Sequence, residues 1–189
     1  MNNWKIELYN GSQDLDTFFA EAHKKGFYNN NSIDILLNSI SNIEETKLWL
    51  LYYKNQVVGT NVAHSLKELG ILGKNAWRIA SRTCVLTHKI DNWKIGVKNY
   101  SDLVWNNPTA QFLIPACIDY VGKKNPMYIS THNGDVGKQN AVHRVWTKAQ
   151  VEAGILKNPL ELEYRGSIQT FWQVDVDVFK KIINQHRWC

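Results

Sequence analysis

From Trp4 to Tyr9 (WKIELY) bulky apolar and polar side chains alternate, the two-residue period of a half-buried strand. Asn10-Gly11-Ser12 interrupts the alternation, and from Gln13 the apolar residues Leu15, Phe18, Phe19 and Ala22 recur at helical spacing until Lys24, Lys25 and Gly26. A second striped segment, Ile33 to Ile40, follows the cap candidate Ser32. Leu48 to Tyr53 (LWLLYY) and Gln56 to His64 (QVVGTNVAH) flank Lys54-Asn55, and two runs of strand formers around so short a polar link predict a hairpin. Ala76 to Leu86 (AWRIASRTCVL) is a third run of strand length, expected to pair antiparallel with that hairpin. From Thr87 to Asn107 no period holds, so a loop or insertion with one short helix is expected.

Pro108 suits the first turn of a helix through QFLIPACIDYVGKK, which Pro115 should bend or shorten. Met127 to Thr131 (MYIST) reads as a short strand opening into the polar corner His132-Asn133-Gly134-Asp135. Lys138 to Ala153 follows as a helix that Gly154 stops. Leu160 to Tyr164 and Ile168 to Val174 are the last strands, around Arg165-Gly166-Ser167, and an amphipathic segment runs from Asp175 to Ile183.

With 189 residues and no Pro/Gly/Ser-rich linker, the chain is expected to form a single α/β domain over 1–189. Hydrophobic residues make up 44% of it, enough for a core without metal or disulfide staples. Cys84, Cys117 and Cys189 are odd in number and unpaired in spacing, and the first two lie in apolar segments as core fillers. The opening MNNWKIELYNGSQD has no basic segment followed by an apolar run, and no stretch has the length of a bilayer span, so a cytoplasmic protein without membrane contact is expected. The net charge of +5 favours an anionic partner, either a phosphorylated cofactor or nucleic acid. No His/Cys spacing suggests a metal site, and GxSxG, Walker and GxGxxG patterns are absent.

The order of strand, two helices, three strands, helix, strand, helix and two strands resembles that of the GNAT-type N-acyltransferases over nearly the whole chain. The resemblance implies a mixed, largely antiparallel twisted sheet flanked by helices, with a V-shaped splay between two central parallel strands. Here those strands are Ala76–Leu86 and Met127–Thr131, and their long helix-bearing connection is what a parallel crossover requires. It also implies acetyl-CoA or another acyl-CoA as co-substrate, its pantetheine arm pairing with one exposed strand edge. The family pattern Asn-x-x-Asn-x-x-Ala-x-x-x-Tyr-x-x-x-Gly-Phe is met by Asn140, His143, Trp146, Gln150, Gly154 and Ile155, so Asn140 and Gly154 are retained and the family's tyrosine is replaced by Gln150. In the pyrophosphate loop, where the family uses Arg/Gln-x-x-Gly-x-Gly/Ala, this chain has Asn92-Trp93-Lys94-Ile95-Gly96-Val97-Lys98, one glycine with lysines on either side.

Acyl transfer to an amine needs a donor to polarise the thioester carbonyl, an acceptor for the amine's proton and a group to protonate the thiolate. The resemblance assigns the first to the backbone N–H of Val85 or Leu86. His132, a neutral imidazole near pH 7, is the candidate proton acceptor, while on the following helix His143 takes the family's second asparagine position and Thr147 is a fallback hydroxyl donor. Arg82, Lys94, Gly96, Lys98, Asn140 and Arg144 would hold the cofactor, with His88 and Lys89 at the end of its strand. The acceptor would be a small-molecule or macromolecular amine. Two rival readings use the same scaffold: a nucleic-acid-binding or base-modifying protein, with Trp77, Trp93 and Trp105 beside basic residues as stacking platforms, and a catalytically silent interaction protein.

Overall fold

The computed structural model of the chain describes residues 3–27, 36–38, 45–91, 100–132 and 141–186. The strands are β1 (Trp4–Leu8), β2 (Thr46–Tyr53), β3 (Gln56–Ser65), β4 (Trp77–Val85), β5 (Met127–His132), β6 (Leu156–Tyr164) and β7 (Ser167–Val174). They form one sheet in the order β1-β2-β3-β4-β5-β7-β6, antiparallel throughout except for the parallel pair β4–β5.

The unbroken apolar run of β2 follows from burial on both sides. Leu48 and Leu50 pack with Phe18, Phe19 and Ala22 of the Asp16–Lys24 helix, while Trp49 and Leu51 join Ile114, Ile118 and Phe179 under the other face. The β2–β3 link is tight because Lys54 (φ 48°) and Asn55 (φ 64°) both adopt left-handed backbone, the form of hairpin turn whose twist suits the flanking strands.

The segment expected to bend at Pro115 does so as a widened turn. Thr109–Leu113 is π-helical and runs into an α-helix at Ile114–Val121, because Pro115 has no N–H to close the usual bond one turn back. The first helix of the crossover is Tyr100–Trp105, and Thr87–Lys89 forms a single 3-10 turn. The helix after β5 is described over Ala141–Glu152 and ends at Gly154 (φ 75°), as the sequence suggests. Asp175 caps the last helix, Val176–Gln185, by accepting from the Val178 N–H at 3.1 Å.

The start of β6 and the end of β5 differ from expectation. β6 begins at Leu156 rather than Leu160, because Asn158-Pro159 sits in a bulge on the sheet's edge strand, where a proline removes no ladder bond. His132 is the last residue of β5, paired with Gln169, rather than the first of the corner. Of the Ile33–Ile40 segment only 36–38 is described, as helix, and Cys189 lies outside the described residues.

Candidate active site

The parallel pairing of β4 with β5 covers Trp77↔Met127, Arg78↔Tyr128 and Ala80↔Ile129 and then stops. Ser81–Val85 and Ser130–His132 both continue as strand, but no register pair beyond Ala80↔Ile129 joins them among the described residues, so the two strands diverge from an apex near Ala80 to a mouth at Val85. The cause lies in β4. It pairs with Gly59–Ser65 of β3 from Trp77 to Val85, and the register slips between Thr60 and Val62 and again between Val62 and His64. Each slip adds a residue to β4, and a strand carrying extra residues bends away from its neighbour.

Asn61 holds the bulged stretch. It is fully buried, and its Nδ2 donates to the Ile79 carbonyl at 2.9 Å and to Cys117 Sγ at 3.0 Å, while its Oδ1 accepts from Thr83 Oγ1 at 2.5 Å. One side chain thus replaces ladder bonds that the slipped register forfeits.

Leu86 N–H donates to the Val58 carbonyl at 2.7 Å, so it is committed to β3 and is not free to polarise a carbonyl in the gap. Backbone groups alternate sides along a strand, which turns the N–H of its neighbour Val85 toward the gap. Arg82 takes a left-handed conformation (φ 47°) within the bulge, and its side chain is exposed on the divergent stretch.

On one face of the sheet, register and hydrogen bonds gather a polar cluster beside the apex. His64 is opposite Arg78, and Arg78 is opposite Tyr128. His64 Nε2 lies 3.2 Å from the Tyr164 hydroxyl, the two rings nearly parallel. Ser130 Oγ donates to Gln169 Oε1 at 2.8 Å, and Ser167 Oγ lies 3.3 Å from His132 Nδ1. Burial and then the charges of Arg78, Arg165 and Arg82 push His64 down to about 3, so it is a neutral imidazole. Burial and the Arg78 charge also hold His132 below its usual value, which leaves it uncharged near neutrality. Burial raises Tyr164 to about 12.

Other candidates are dispersed. Thr147 is buried on the inner side of the Ala141–Glu152 helix, beside a buried Gln150 whose Oε1 has no partner among the described residues. His143 and Arg144 fall in that helix's first turn, but their side chains lie outside what is described, as do Lys94, Gly96, Lys98, Asn140 and Trp93 altogether. Lys89 pairs with Glu21 of the first helix at 2.6 Å, where His88 approaches the same carboxylate at 3.6 Å. Trp105 is buried and the half-buried Trp77 packs edge-on to Tyr120, so core packing occupies two of the three proposed stacking platforms. Burial lifts the thiols of Cys84 and Cys117 to about 12, which makes both packing groups rather than nucleophiles. Among the described residues no His/Cys/Asp/Glu group could hold a metal ion, and no helix is long and apolar enough to cross a membrane.

No family model and no curated protein matches the chain. Solved structures do. A Bacillus halodurans protein without a characterised function superposes with a TM-score of 0.59 at 12% identity, over 97% of this chain and 91% of that one. A Desulfovibrio desulfuricans protein described as a GNAT-family acetyltransferase gives 0.53 at 10% identity, over 90% of this chain and 98% of its own. An acetyltransferase from Streptococcus agalactiae gives 0.50 at 9% identity, over 92% and 100%. Likeness at such identities speaks to architecture. The chain has the GNAT fold, divergent in sequence, with that fold's open sheet and its parallel β4–β5 pair.

Proposed function

We propose that the protein is an acyl-CoA-dependent N-acyltransferase acting on an amine, and that the gap between β4 and β5 receives the thioester arm. The observation that carries this reading is the early end of β4–β5 pairing, which leaves backbone donors such as the Val85 N–H on an open edge. An extended pantetheine arm has amides at strand-like spacing and can use that edge as an added strand does. The nucleotide end would then lie beyond the mouth, toward the part of the sequence that holds Lys94, Gly96 and Lys98. The acyl group would reach the apex, beside Arg82 and the polar cluster.

The step itself is a displacement at the acyl carbon. The amine nitrogen forms the C–N bond, the C–S bond breaks, the sulfur leaves as thiolate, and the nitrogen loses a proton. His132, neutral and at the open end of β5, is the proposed proton acceptor, directly or through water. The thiolate regains a proton from the helix side or from solvent, and Gln150 at the family's tyrosine position cannot supply it.

The test is a thermal-shift titration with acetyl-CoA. A ligand that binds only the folded chain raises the midpoint with concentration, and no rise at a large excess would contradict the proposal.

A further inference from the structure

Resting on that reading, we infer that the Arg78 guanidinium anchors a carboxylate carried by the amine acceptor. Arg78 stands on β4 at the last stretch that pairs with β5, on the face bearing His64, Tyr164 and His132. Although the residue keeps some exposed surface, its Nε is wholly covered and has no hydrogen-bond partner among the described residues. Glu68 faces Arg165 at 4.0 Å and the Tyr164 hydroxyl on the exposed rim, and no salt bridge among the described residues involves Arg78. A covered guanidinium donor without a partner is unfavourable in a molecule that folds for stability alone. The covered Nε cannot itself meet a ligand, so the carboxylate would be held by the terminal nitrogens of the same guanidinium.

The surroundings favour an anion. Arg82 and Arg165 add positive charge near Arg78, and His64, buried beside it, stays neutral. Burial is the main influence on Arg78 and lowers it only to about 10, so the guanidinium remains charged at neutral pH. A single planar fork matches a planar monoanion held by two parallel hydrogen bonds. The cluster lies beside the apex, where the acyl group would arrive. A carboxylate bound there would place a nearby amine of the same molecule toward His132, so the acceptor class is an amino-acid-like amine.

Two measurements on the full chain decide this. In the first, acetate is titrated at constant ionic strength, balanced with chloride, while the Arg78 Nε–H resonance is followed by nitrogen–proton NMR and assigned with Arg78→Lys. A saturable shift of this resonance with acetate is expected in the wild type. No shift, or saturation by inorganic phosphate but not acetate, would overturn the inference. In the second, acetylation by acetyl-CoA is compared for amino acids and their carboxamides. The carboxylate form should have a KM lower by roughly 30-fold, from a charged bidentate pair. Arg78→Gln should abolish that preference, and Arg78→Lys should retain part of it. Equal KM for acid and amide in the wild type would overturn the proposal. If calorimetry shows that acetyl-CoA does not bind, the acyltransfer reading fails, while the acetate titration still decides the anion site.

Discussion

His64 shows what one residue's surroundings dictate. Its ring is buried between the Arg78 charge and the Tyr164 hydroxyl, and it protonates near 3 in the native chain against 6.5 for an ordinary histidine. The unfolded chain therefore binds this proton first as pH falls, and native stability drops between about 6.5 and 3 by about 1.4 kcal/mol per pH unit from this group alone. Several carboxylates, Glu21 and Asp175 among them, titrate low and weaken the fold in the same direction. The contribution of His64 is isolated by His64→Gln, which should flatten the pH dependence of the urea midpoint between pH 6 and 4; an unchanged slope would contradict this assignment. His132→Ala should lower turnover by about a hundredfold with the fold intact, and an unchanged single-turnover rate would remove His132 as proton acceptor. The sequence singles out His132 at the corner after a short strand and Arg82 inside an apolar run. Arg78 stands in the same run, AWRIASRTCVL, where an arginine is costly to bury without an anion. Tyr164 and His64 had no such signal, because their meeting joins positions far apart in sequence.

At the scale of elements, the active feature is a defect in a ladder. The β2–β3 hairpin, the β4 and β5 strands and the helix stopped by Gly154 follow from periodicity and turn residues. The bulges of β4 do not, since register depends on the partner strand and a one-residue slip leaves composition untouched. A trace existed: Asn61 in QVVGTNVAH is a polar residue at a position where an apolar side chain would suit a buried strand. Replacing it with leucine strands the Ile79 carbonyl and the Thr83 hydroxyl in the core, and should destabilise the chain by about 3 kcal/mol in denaturant unfolding. Asn61→Asp, which keeps the acceptor for Thr83 but buries a carboxylate against the Ile79 carbonyl, should be at least as destabilising. Equal stability of Asn61→Leu and wild type would show that the bulges form without it. The early start of β6 has the same origin, for Asn158-Pro159 reads as a break in sequence but sits in a bulge at a sheet edge.

At the scale of the whole molecule, the order of elements carried the fold, because only a few topologies place a long helical crossover between two central parallel strands of an otherwise antiparallel sheet. The gap itself follows from β4 being longer than the β3 stretch it pairs with, and the proposed chemistry follows from what that gap leaves open. The most direct test is amide hydrogen exchange measured by mass spectrometry with and without saturating acetyl-CoA. If the thioester arm pairs with the open edge, exchange slows in the Ser81–Val85 segment while the β2–β3 hairpin is unchanged. Unaltered exchange across Ser81–Val85 with acetyl-CoA present at saturation would contradict the account.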